Sequence, residues 1–142
     1  MNSISDRIVD AIVLALATSS GVEGRVFRSR ELAIVRGEAP CIVVLLGAEE
    51  TAALSDDVDD NRLTVDIEIS VRGDPFDQLG DPVAVDVHRL LRSDAGLAAL
   101  VAAVRRKGRS WEAEEADSTA GCLTMKYELR YLSDANDMTM LV

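Results

Sequence analysis

Two stretches of strict alternation constrain this chain more than anything else in it. Leu63, Val65, Ile67, Ile69 and Val71 interleave with Thr64, Asp66, Glu68, Ser70 and Arg72, and later Leu123, Met125, Tyr127, Leu129 and Tyr131 interleave with Cys122, Thr124, Lys126, Glu128 and Arg130. A period of two puts the apolar side chains on one face of an extended strand. Each stretch therefore predicts a half-buried antiparallel strand, apolar toward a core and polar on its other side. The rest of the chain has to cover the apolar face and complete the sheet.

Helices are the natural cover. Residues 3–18 carry Ile4, Ile8, Val9, Ile12, Val13 and Leu16 at helical spacing, with Ser3 or Ser5 as N-cap, Gly21 as a stop, and Asp6, Arg7 and Asp10 on the polar side. Asp81-Pro82 reads as an N-cap followed by proline at the first helical position, opening a second helix through Val83, Val85, Val87, Leu90 and Leu91. A short third helix over about 95–103 follows the Ser93-Asp94 cap. Its alanines suit close packing on a sheet.

Further strands are expected at 25–28, at 41–46, where a continuous apolar run fits a strand covered on both faces, at 104–114 and at 120–132. Residues 28–36 are charged and uncommitted, and Gly37-Glu38-Ala39-Pro40 reads as a turn, as does the stretch 117–121. Residues 47–60 hold Glu49, Glu50, Asp56, Asp57, Asp59 and Asp60, too dense in like charge to be buried, and read as a surface loop or the long connection of a hairpin. The expected fold is α+β: a mainly antiparallel sheet of about four or five strands with two or three helices packed on one face. Residues 1–133 form one domain, and 134–142 form a C-terminal tail whose Met138, Met140, Leu141 and Val142 belong to no clear element.

Composition narrows the function classes. With 142 residues the chain is long enough for one domain with a continuous core. Its 15 Lys+Arg against 25 Asp+Glu leave a net charge of −10, which repels phosphate backbones and argues against sequence-specific nucleic-acid binding. The N-terminus lacks a basic segment leading into an uninterrupted apolar run, and no stretch approaches a membrane span, so the expectation is a soluble intracellular protein with no membrane partner. Cys41 and Cys122 lack the spacing of metal or redox pairs and read as small core or near-core residues.

No catalytic constellation can be assembled. His88 stands alone beside Arg89, without a nucleophile in a motif context, and reads as a packing or surface residue. Gly21-Val22-Glu23-Gly24 lacks the signature of a phosphate-cradling loop. Asp57, Asp59, Asn61 and Glu68 fall at calcium-loop spacing, but Arg62 occupies the position that needs glycine, and Glu68 lies inside an alternating strand. The expectation is therefore no enzyme, no cofactor and no metal. Trp111, the only tryptophan, is either a core anchor or an interface residue. The one dense basic run, Arg105-Arg106-Lys107-Gly108-Arg109, is better matched to acidic protein surface than to nucleic acid.

Several segments together resemble a known family. They are Arg25-Val26-Phe27-Arg28-Ser29-Arg30, Gly37-Glu38-Ala39-Pro40 before an apolar strand, residues 63–72, Asp81-Pro82 leading to His88-Arg89-Leu90-Leu91, and Trp111-Glu112-Ala113-Glu114 before a long alternating strand. In order and local phrasing, over about residues 4–133, the chain resembles the minor tail protein U type of tail terminator from tailed phages and prophages. The resemblance implies an α+β virion protein, assembled in the host bacterial cytoplasm, that forms a hexameric ring on the tail tube, stops its growth and offers a surface for the head. Its implied partners are further copies of itself, the tail tube protein and a head-completion protein. A head–tail joining protein of similar size, and a small cytosolic ligand-binding α+β module, are the alternative readings.

A ring needs two different surfaces on each subunit. Charge and expected exposure nominate Arg105, Arg106, Lys107, Arg109 and Trp111 on one side, Asp56, Asp57, Asp59 and Asp60 on the other, and Arg28 and Arg30 as further contacts. A negative ring lumen lets DNA pass without adhering.

Overall fold

The computed structural model describes residues 1–29, 40–114 and 117–142, with side chains omitted for 117–119. Its elements run α1 (Ile4–Leu16), β1 (Val26–Arg28), β2 (Cys41–Ala53), β3 (Val58–Arg72), α2 (Phe76–Ser93), α3 (Ala95–Ala98), β4 (Ala103–Glu114), β5 (Asp117–Asp134) and β6 (Asp137–Leu141). The fold is α+β, as the alternation predicts. One sheet of six strands has the order β1-β2-β3-β5-β4, with β6 pairing to β5.

β3 and β5 are the two alternating stretches, and they pair antiparallel in an unbroken register from Val58 opposite Asp134 to Arg72 opposite Ala120. The apolar residues of the two alternating stretches, Leu63 to Val71 and Leu123 to Tyr131, are all buried on this face, Ile67, Ile69, Leu123 and Leu129 completely. Against this face pack Ile4, Ile8, Val9, Ile12 and Leu16 of α1, Val83, Ala84, Val87 and Leu91 of α2, and Leu97 of α3. Ser3 caps α1, its Oγ accepting from the Asp6 N–H at 3.2 Å. Asp94 caps α3 in the same way through Leu97 N–H at 2.8 Å.

The structure corrects five boundaries, the smallest being that of α3, which ends at Ala98 instead of running to about residue 103. Helix α2 begins at Phe76, so Pro82 lies inside it instead of at its first position. The cause is tertiary: the Phe76 ring lies against Gly121, where a Cβ would come within 2.3 Å of it, and Gly80 lies 3.8 Å from Val71 measured from its own would-be Cβ. Burying this extra turn outweighs the one helical hydrogen bond that proline forfeits.

Residues 47–60 are mostly strand: β2 runs to Ala53 and β3 starts at Val58, leaving a tight turn closed by Leu54 N–H to the Val58 carbonyl at 2.9 Å. A shift of register between Leu46 and Glu49 lets the hairpin bend as it leaves the helix layer. The stretch expected to turn at 117–121 is already strand, because β5 starts at Asp117.

Finally, the tail forms β6, raising the sheet to six strands. It occupies the edge of β5 beyond the point where β4 begins, pairing Ser133 with Leu141, and Arg7 of α1 donates to its Thr139 carbonyl at 2.5 Å. The charged stretch and turn expected between 30 and 39 lie outside the described residues. β1, for its part, joins β2 in parallel, Val26 opposite Ile42.

Candidate assembly surfaces

The residues nominated for assembly divide sharply once placed. Arg28, on β1, donates to Asp6 at 2.5 Å and Asp10 at 2.7 Å on α1, and the bond to Asp6, followed by one from Asn2, holds the Asp6 carboxyl below its ordinary range. It fastens the first helix to the sheet edge. Arg30 lies outside the described residues.

Asp60 faces the side of the sheet away from the helices and accepts both guanidinium bonds of Arg130, at 2.8 and 3.0 Å. That fork lowers the Asp60 carboxyl and engages it within the subunit. Asp59 is half-buried on the opposite side. Asp56 and Asp57 differ: both are exposed at the hairpin apex, beside Leu54, which keeps 58 % of its surface in water.

The basic run is split by a β-bulge. Between Arg106 and Gly108 the register of β4 against β5 shifts, so Arg106 opposes Tyr127 and Arg109 opposes Met125. Both partners are core residues, and Arg106 and Arg109 therefore project on the helix side of the sheet. Arg105 opposes Glu128 and projects on the other. Gly108 sits at φ +151°, a conformation that other residues adopt only with strain. Without the extra residue, Arg106 and Arg109 would point to opposite faces.

On the helix side these cations border an open groove between α2 and β4. Asp81, Ala84, Val85, His88, Arg106, Arg109 and Met125 line one part of it, and Gln78, Pro82 and Trp111 extend it. Arg109 crosses the groove to Asp81 at 3.0 Å, with its guanidinium 4.9 Å from the centre of the Trp111 ring. Trp111 remains 48 % exposed, a groove wall instead of a core anchor. Arg105, Arg106 and Lys107 are exposed and form no ion pair among the described residues.

His88 lies between groove and core. Its Nδ1 is 2.9 Å from the Tyr127 hydroxyl and the rings stack at 5.9 Å. Burial first, then Arg106 and Arg92, lower the His88 pKa, and burial pushes the Tyr127 phenol up to about 12. Both groups are neutral near pH 7, a pairing that fits packing.

The face away from the helices is less open than its polar sequence implies. Cys41 and Val43 of β2 lie on it and are buried, while Thr64, Asp66, Glu68 and Ser70 are half-buried. Burial, then Asp66 and Glu112, raises the Glu68 carboxyl. Burial, then Glu68, pushes the Cys122 thiol up to about 11. The calcium-loop spacing does not close: Asp59 and Glu68 stand along one extended strand, roughly 30 Å apart at about 3.3 Å per residue, and no cluster of metal-ligating groups occurs among the described residues. Nor is any helix among them long and apolar enough to cross a membrane.

Among the groove and apex residues not nominated from sequence are Leu54, Val85 and Pro82. Leu54 had a legible signal, an isolated leucine beside an acidic run. Val85 had none, since only the true phase of α2 turns it outward.

No protein-family model and no curated protein matches this sequence. Among solved structures, the fold is similar to that of a chain in the virion of a native gene transfer agent particle, with a TM-score of 0.67 and 14 % identity, covering 92 % of this chain and 98 % of that one. At that identity the likeness establishes a shared fold, end to end, with a chain of a virus-like particle.

Proposed function

We propose that this protein is a structural component of a tailed-phage-like particle, acting as a tail terminator: a ring of copies, six by the family resemblance, that caps the tail tube and offers the head its docking surface. The observation that supports this reading is the fold likeness, over nearly the full length of both chains, to a chain of a gene transfer agent virion. The proposed role requires no catalysis, cofactor or metal; each subunit works by binding copies of itself, the tube and a head-completion protein. DNA passes through the ring without sequence-specific contact. The exposed hairpin apex and the α2–β4 groove supply two unlike surfaces on one subunit, which is what closure into a ring requires.

Light scattering behind a sizing column tests the reading. A mass near six subunits, with rings in negative-stain images, supports it. A strict monomer at every concentration and salt level overturns it in favour of a small binding module. Purified tail tubes separate terminator from head–tail joining protein: a terminator binds bare tube ends and stops their growth, whereas a joining protein binds only after the tube is capped.

A further inference from the structure

The groove and the hairpin apex of one subunit cannot meet each other. The apex is tied to the far end of β5, where Ala135 N–H donates to the Asp57 carbonyl at 2.9 Å, while the groove lies over Met125. From Asp134 to Met125, at about 3.3 Å per residue, the separation is roughly 30 Å along the strand. Among the described residues, therefore, a contact between the acidic apex and the basic groove requires a second molecule.

The two surfaces are complementary in both charge and polarity. The apex presents Leu54 with Asp56 and Asp57, all exposed, and the neighbouring Glu50 adds to the negative charge. The groove presents the exposed side chains of Val85 and Trp111, with Arg106 on the β4 side; Lys107 is the next residue of that strand, at the bulge, and neither cation has an ion-pair partner among the described residues. Asp60 and Arg109, which sequence alone would assign to the same contact, are both held within the subunit, by Arg130 and Asp81.

We propose that the β2–β3 hairpin apex of one copy, Leu54 with Asp56 and Asp57, seats in the α2–β4 groove of a second copy, against Val85 and Trp111 and beside Arg106 and Lys107. The contact is head-to-tail: each subunit gives one apex and receives another. Repeated by rotation, such a contact closes a ring. This inference rests on the ring reading above and identifies the contact that builds the ring.

The test reverses charge on each side separately. One variant carries Asp56→Lys and Asp57→Lys, the other Arg106→Glu and Lys107→Glu, and circular dichroism melts check that both keep the fold. Each alone is expected to associate about 100-fold more weakly than the unaltered chain, because like charges now face each other across the contact. Mixed in equal amounts, the two are expected to assemble together, since a lysine apex meets a glutamate groove and an aspartate apex meets an arginine groove. A single chain carrying all four changes is expected to assemble with itself.

If the unaltered chain assembles and neither variant is weakened, or the mixture fails to recover, this contact is wrong while the ring reading stands. A chain that never assembles removes the ring reading, and this contact with it.

Discussion

β3 and β4 are both long strands laid antiparallel on β5, yet they are built to opposite ends. β3 alternates buried with half-buried residues along most of its length, whereas β4 exposes every residue except Val104. The difference is what lies above them. α1 and α2 cover β3 and β5, so a one-residue slip in β3 would turn its whole apolar set outward. β4 lies at the margin of the helix layer, and its cations keep an open strand edge soluble and discourage indiscriminate edge pairing. The molecule thus keeps its buried core in the middle of the sheet and its exposed, cation-bearing strand at the border.

The sharpest way to break this comparison is by paired truncation. Ile67→Ala in β3 is expected to lower unfolding stability by about 3 kcal/mol through lost burial and an unfilled cavity. Arg105→Ala in β4 is expected to change it by less than about 0.5 kcal/mol. Urea unfolding of the two variants measures both, and equal losses would mean that β4 carries part of the core.

Next in size is the bulge. Gly108→Val is expected to cost about 1–2 kcal/mol from backbone strain alone, since a Cβ there meets nothing within 4 Å. It is also expected to weaken self-association, because relaxing the strain brings Arg106 and Arg109 out of their shared orientation. Thermal melts and light scattering report the two effects independently.

Smaller effects separate the two faces by their response to pH. Asp6 and Asp60 titrate below their usual value because arginines hold them ionised. The stability they confer is present above the usual carboxylate pKa near 3.8 and is lost as the pH falls through their lowered values. Asp60→Asn is therefore expected to flatten the acid limb of a stability–pH curve, with little effect on assembly.

Glu68 has the opposite sign. Its carboxyl is raised from 4.5, so its ionised form costs stability above the raised value, and the cost fades as the pH falls through that value. Glu68→Gln is expected to raise the melting temperature at pH 7 by about one or two degrees, with the gain gone below the ordinary glutamate range. A lower melting temperature in that variant would mean that the Glu68 carboxylate has a favourable partner.

Local pattern made the core legible. The alternations at Leu63–Val71 and Leu123–Tyr131 specify buried faces because side-chain direction in a strand depends only on parity. The Ile4 to Leu16 spacing places α1 at 3–18, within two residues of its observed span at either end, for the same kind of reason. The start of α2 was not legible: Asp81-Pro82 carries the stronger local signal, and only the contact of Phe76 with Gly121, far apart in sequence, moves the start forward. The hairpin at 47–60 was half legible. Its acidic density correctly excludes burial, but strands that extend beyond the helix layer do not need to be buried, only paired with a neighbour.

The nominated surfaces divide along the same line. By itself the sequence determined that a basic run and an acidic run exist and that neither enters the core, because charge density governs solvation without reference to fold. Which members remain available to a partner was decided by tertiary structure. Arg130 reaches Asp60 across neighbouring strands, Asp81 reaches Arg109 across the groove, and one extra residue at a bulge sets which way Arg106 points. Those outcomes depend on pairings between segments tens of residues apart, and only the folded chain brings such segments within reach of an ion pair.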